Sequence, residues 1–258
     1  MFLKLVKHEL HEAGRMLLPI FGGLLLFAAV TRGIIWIMEQ SDNDLLRIMG
    51  IMFVALFFIA CIASVVVAAV LMIIRFGKTV HGDEGYLTHT LPVGVHSILL
   101  SRILVTLLAL VVSIGVAYLG IRFSLWNVQA ASDFFKSFST MFQLMGMDSR
   151  SLWMTAASYG SQLLATVLLI FAAISIGHSF NRGKVGFSIL FYFAIESTFS
   201  LISAVVMLVM MPGMLDESAD FGAVMGGYGY FAIGLNLLCC VVCYILSWLM
   251  TKKRLNLS

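Results

Sequence analysis

Charge is what this chain has least of. Only 11% of its 258 residues are Asp, Glu, Lys or Arg, against 61% hydrophobic, where soluble domains carry roughly 25% charged residues. Its mean hydropathy is +1.03. A water-soluble fold of that composition would expose large apolar patches and aggregate, so the bilayer is the expected solvent. The net charge of +3 is too small to imply a nucleic-acid partner, and none is expected; where the charges sit matters more.

Catalytic motifs are missing as well. A phosphate-binding loop reads G-x-x-x-x-G-K followed by Ser or Thr. Gly77-Lys78-Thr79 supplies only the end of it: Met72 stands where the first glycine belongs, and an apolar helix precedes instead of a glycine-rich turn. A zinc hydrolase on a helix needs H-E-x-x-H. His8-Glu9-Leu10-His11-Glu12 has its second histidine one position early and lies ahead of the first apolar run. No G-x-S-x-G occurs, which removes the serine-hydrolase elbow. The four cysteines, Cys61, Cys239, Cys240 and Cys243, all fall inside apolar runs. They fit neither a disulfide framework nor a zinc site and read as small packing residues. The chain is therefore expected to have no catalytic residue, no metal site and no cofactor of its own.

What is present is six apolar runs, at about 16–38, 50–74, 103–121, 152–176, 185–211 and 228–250. Each reaches or approaches the ~20 residues a spanning helix needs. An even number of spans puts both termini on one side. That side carries Lys4, Lys7, Arg15, Arg75, Lys78, Arg102, Arg182, Lys184, Lys252, Lys253 and Arg254, eleven basic residues; the other carries Arg32, Arg47, Arg122, Lys136 and Arg150, which is five. The excess predicts cytoplasmic termini. Acidic residues such as Glu39, Asp42, Asp133, Asp216 and Glu217 lie on the outer side, and Trp36, Trp126 and Trp153 mark the outer interface, with Trp248 at the inner one.

The flanks add detail. Residues 1–15 place Phe2, Leu3, Val6 and Leu10 on one helical face, which predicts an interfacial helix lying on the membrane. Its long charged lead-in, with Glu9 and Glu12, is unlike a signal peptide, so the first run is expected to stay as a span. The fifth run has 27 residues, a rise of ~40 Å against a hydrocarbon core of ~30 Å. It must tilt, break or project. Pro212, Gly213, the acidic stretch 216–220 and Gly222, Gly226, Gly227 and Gly229 follow, and predict an external or re-entrant cap over 207–228.

Polar groups inside the membrane are functional hypotheses by default. Glu196, near the middle of the fifth run and followed by Ser197, Thr198 and Ser200, is the clearest. It must face the bundle interior, a subunit interface or a water-filled route. Two readings stand, a translocation-pathway residue or an interhelical packing hydrogen bond. Asn236, Gln162 and Arg32 are weaker candidates, Arg32 being expected to snorkel outward.

A long charged stretch between two runs is 75–102, RFGKTVHGDEGYLTHTLPVGVHSILLSR. Gly82-Asp83-Glu84-Gly85 is turn chemistry, Tyr86, Leu87, Leu91 and Val93 are apolar residues able to dock on a surface, and Pro92 ends any helix begun before it. Val95, Ile98, Leu99 and Ile103 then open a helix into the third run. The segment reads either as a solvated connector or as a docking element.

RFGKTVHGDEGYLTHTLPV resembles the first cytoplasmic loop of the ABC type-2 permeases of Gram-positive bacteria. The likeness rests on Phe76, Glu84, Gly85, Tyr86, Leu87, Thr90, Leu91, Pro92 and Val93, with the six-span layout in support. His81 and His89 depart from the pattern. The resemblance implies an all-α membrane protein: one permease domain over 1–258, with six transmembrane helices, the N-terminal interfacial helix and a cytoplasmic coupling helix between spans two and three. It implies the bacterial plasma membrane, and an exporter driven by a separate cytosolic ATP-binding subunit, which holds ATP and Mg. Two permease copies, or one and a paralogue, would form the membrane part. Phe76, Asp83, Glu84, Gly85, Tyr86, Leu87, Leu91 and Pro92 would carry the coupling, and Glu196, Asn236 and Arg32 would give polarity to the path. Two alternatives use the same residues: a membrane sensor or scaffold binding a cytosolic regulator, and an ion-coupled carrier with Glu196 as its protonation site.

Overall fold

In hydrocarbon no water satisfies a backbone N–H or C=O, so a spanning segment must bond internally, as a helix does. The computed structural model describes residues 2–40, 44–81, 94–125, 136, 140, 149–180, 183–215 and 221–255. These form six helices: α1 Phe2–Gln40, α2 Asp44–His81, α3 Val95–Ser124, α4 Ser149–Gly177, α5 Lys184–Leu215 and α6 Phe221–Leu255. Among the described residues there is no strand. All six helices are long and apolar enough to cross a membrane, over Leu3–Met38, Ile48–Lys78, Val95–Ser124, Trp153–Gly177, Lys184–Met210 and Gly226–Thr251. This is the architecture of a multi-pass membrane protein. The chain packs as two compact units, Met1–Phe76 with Leu100–Phe134, and Gly77–Leu99 with Phe135–Ser258.

The first unit is built on small residues. Ala13, Leu17, Ala68, Met72, Val105 and Ala109 form one buried cluster, against which Val6, Ile20, Phe21 and Leu71 pack. Leu24, Ala28, Phe57, Cys61 and Ala117 form a second. From the first cluster to the second, residue numbers rise along α1 and α3 and fall along α2, the pattern of an up-down-up bundle. Alanines at the contacts let helices approach closely where no hydrophobic driving force operates between them. The Phe27 and Phe57 rings meet edge to face at 5.8 Å.

The sequence reading separates an interfacial helix at 1–15 from a span starting at 16. In the structure α1 is one 39-residue helix with Pro19 inside it. Its buried stripe runs unbroken through Glu9, Ala13, Leu17, Leu24, Ala28, Thr31 and Ile35. Within the protein the lead-in buries Glu9 and Ala13, while Leu3 is 80% and Leu10 45% exposed.

In the second unit α4 packs on α5 and α6. Half of the residues in α4's most apolar window are buried, and none in α5's. The expected cap over 207–228 contracts, because α5 remains helical to Leu215 and α6 starts at Phe221; only 216–220 lie outside the described residues. An internally bonded backbone is worth more in a membrane than the glycines of 222–229 cost it.

The connection from α4 to α5 is tight. The N–H of Phe180 donates to the Gly177 carbonyl at 3.2 Å, and the N–H of Phe187 to Gly183 at 3.0 Å. Gly183 adopts φ 71°, a left-handed conformation that favours glycine. Phe180 stacks on Phe187 at 4.3 Å. A Cβ on Gly177 would lie 2.6 Å from the Ser188 backbone nitrogen, whereas one on Gly186 would meet nothing within 4 Å. Gly177→Ala is therefore expected to cost about 1–3 kcal/mol through overpacking, and Gly186→Ala to be tolerated. Thermal aggregation followed by size-exclusion chromatography in detergent compares the two; equal melting would refute the close approach.

Candidate functional site

Two polar arrangements interrupt this apolar fold, and each is built from a different set of helices. The first lies where α2 leaves, and α3 re-enters, the apolar region. Glu9 of α1 is buried there, and so are Arg75 of α2 and Arg102 of α3. Arg75 Nη2 donates to Glu9 Oε2 at 3.0 Å, and Arg102 Nη2 pairs with Glu9 Oε1 at 2.8 Å. Arg75 also pairs with Glu12, which is half exposed and takes His8 Nδ1 at 3.6 Å as a second neighbour. One carboxylate thus spends its two oxygens on two guanidiniums from different helices. Glu12 balances the remaining positive charge at the cluster's wet edge.

The space between these groups, bounded by Glu9, Met72, Arg75, Phe76, Arg102, Val105 and Thr106, amounts to about 10 Å³, at the lower limit for a single water. The charges consequently meet in a shielded setting where attraction is strong. Removal of the Glu9 carboxylate would take from two buried guanidiniums their shared counter-charge.

Phe76, one of the expected coupling residues, is 1% exposed. Because α2 stays helical to His81, residue 76 falls one turn beyond Met72 on the inner face. Its ring packs behind the charge cluster and offers no surface to a partner. Asp83, Glu84, Gly85, Tyr86, Leu87, Leu91 and Pro92 lie outside the described residues. The far end of the same segment is anchored independently. The Gly94 carbonyl accepts the N–H of Ser97 at 2.9 Å, which starts α3 at Val95 as expected. His96 Nδ1 lies 3.0 Å from the Tyr244 hydroxyl, and its ring stacks on Trp248 at 5.0 Å.

The second arrangement is a cavity of about 340 Å³ among α4, α5 and α6. Glu196 lines it, together with Gln162, Thr166, Ser200, Ser203, Tyr228, Asn236 and Cys239; Leu169, Phe199, Met207 and Leu235 supply apolar wall. Ser203 Oγ and the Tyr228 hydroxyl are 2.8 Å apart. Asn236 Nδ2 donates to Ser161 Oγ at 3.1 Å, which leaves its carbonyl oxygen as an acceptor. No Lys, Arg or His lines the space.

Of the intramembrane candidates, Glu196, Asn236 and Gln162 are therefore brought together. Arg32 belongs to the first unit, half-buried on α1 with its Nη1 enclosed. The cysteines are free and buried. Among the described residues no group of His, Cys, Asp and Glu is arranged to hold a metal ion, and Glu9 is committed to arginines instead.

The sequence reading missed the carboxylate that joins Arg75 to Arg102. The available signal was the helical spacing of Glu9 with Ala13 and Leu17, which puts an acid on a face of small and apolar residues.

Comparison with protein-family models, with curated proteins and with solved structures finds no match to this chain.

Losing the shared carboxylate should be far more damaging than losing the exposed one. Glu9→Gln is expected to cost about 3–5 kcal/mol, since it takes the shared counter-charge from two buried guanidiniums; Glu12→Gln, half in water, should cost under ~1 kcal/mol. Chemical unfolding in mixed micelles measures both, and similar losses for the pair would show that Glu9 is not the keystone.

Proposed function

We propose that this chain is the membrane-spanning subunit of an ATP-driven exporter of the ABC type-2 kind, resident in a bacterial plasma membrane with both termini in the cytoplasm. The observation that carries the reading is the segment between α2 and α3. It has the EGYL and TLPV elements of a coupling loop, and both of its roots are held by one carboxylate, through Arg75 and Arg102. A load applied to such a loop by a soluble partner reaches α1, α2 and α3 together, because the three helices share Glu9. His96, held against Tyr244 and Trp248, passes part of the same load to α6. The chain has no phosphate-binding loop, which agrees with nucleotide chemistry on a separate cytosolic subunit holding ATP and Mg. A second permease copy or a paralogue completes the membrane part.

In this reading Glu84, Tyr86, Leu91 and Pro92 touch or position the ATPase, and Phe76 acts from behind as a positioning residue. A second reading has one observation in its favour. Glu196 faces a cavity without a basic residue, as the protonation site of an ion-coupled carrier would. Uptake into vesicles driven by a pH gradient without ATP would favour the carrier.

The exporter reading is tested by co-purification with the ATP-binding subunit and by hydrolysis in proteoliposomes. Replacing Glu84 and Tyr86 together with alanine is expected to lower permease-stimulated hydrolysis at least about tenfold, a loss of ~1.4 kcal/mol of coupling, while the isolated ATPase keeps its basal rate. Stimulation that survives the double replacement would sink the assigned role.

A further inference from the structure

We infer that the cavity among α4, α5 and α6 is a binding site for a lipophilic organic monocation, with Glu196 as its counter-charge. As a statement of what is exported, the inference rests on the reading above; as a statement of what is bound, it stands on the cavity.

Two carboxylates among the described residues, Glu9 and Glu196, are treated in opposite ways. Glu9 is closed in by two guanidiniums at 2.8 and 3.0 Å, and the space beside it is about 10 Å³. Glu196 opens on about 340 Å³, and no Lys, Arg or His borders that space. Among the described residues it has no ion pair. A carboxylate in a membrane span faces a polar route or a positive partner, and here the protein leaves room for a partner where elsewhere it supplies its own.

The size of the room selects among cations. It matches a small-molecule site and far exceeds what an inorganic ion fills. Hard metal ions need several oxygen ligands, commonly from more than one carboxylate, and the lining offers a single acid. Leu169, Phe199, Met207 and Leu235 suit an apolar body, and the faces of Phe199 and Tyr228 suit a delocalised or alkylated cation. A zwitterionic lipid headgroup fits poorly, since no basic side chain would meet its phosphate. The same argument turns away anionic solutes.

Equilibrium binding of tritiated tetraphenylphosphonium to the purified full-length chain in detergent tests this without nucleotide or ATPase. Binding should be saturable, and Glu196→Gln should weaken it at least about tenfold, as expected for removal of a desolvated charge partner. Gln162→Lys, which installs a cation in the cavity, should weaken it similarly. Triphenylphosphine oxide, which keeps three of the rings but carries no charge, should not compete. Because the competition is run on the unaltered chain, a variant that fails to fold leaves the test intact. Equal binding by E196Q, or competition by the oxide as strong as by unlabelled phosphonium, would overturn the inference. A chain that stimulates an ATPase yet binds no phosphonium refutes the ligand and leaves the exporter standing. A chain that binds phosphonium and recruits no ATPase does the reverse.

Discussion

One carboxylate shared between two guanidiniums is the interaction on which the first three helices depend. Glu9 sits on a segment whose composition alone would let it lie loosely in the interface. Its burial against Arg75 and Arg102 turns that segment into the opening turns of α1 and fixes the face it presents. Ala13 and Leu17 then fall into the cluster with Ala68, Met72, Val105 and Ala109. Desolvating three charged groups is expensive, and an apolar triple would pack as well. What the charges add is register, because guanidiniums from two helices must both reach one carboxylate. The roots of the 75–102 segment are thereby held in a defined position.

The second unit follows a different logic. Its hydroxyls mostly turn back on their own helices, as with Ser247 onto the Cys243 carbonyl at 2.9 Å and Thr251 onto Ser247 at 2.8 Å. Such residues travel through hydrocarbon as self-contained groups and add little to contacts between helices. Two pairs that do join helices, Ser203 with Tyr228 and Asn236 with Ser161, stand beside the cavity. They bring polar groups near Glu196, while α5, which carries it, is the least buried of the spans.

The spans were readable because bilayer thickness imposes a length and a composition that few other structures share. Glu196 and Asn236 were readable as candidates because polar side chains inside such runs are rare. Element ends were not: α2 runs on to His81 and α1 begins at Phe2, since a helix does not stop where hydrocarbon does. The protein-facing side of 2–15 was not readable, for a sharper reason. Hydrophobic spacing selects Leu3 and Leu10, but the buried position belongs to an acid whose first partner is 66 residues away. No local pattern reports a partner at that distance. The burial of Phe76 was hidden by the same limit, its ring being covered by groups remote in the chain.

That separation has a consequence for synthesis. Arg75 follows Glu9 by 66 residues, and Arg102 comes later still. At translation rates of about 5–20 residues per second, Glu9 waits several seconds for its first guanidinium. During that interval the opening helix has no reason to settle in its final register. Only when the third helix emerges can the carboxylate be satisfied on both oxygens, so the N-terminal segment, made first, is among the last parts of its unit to lock in place.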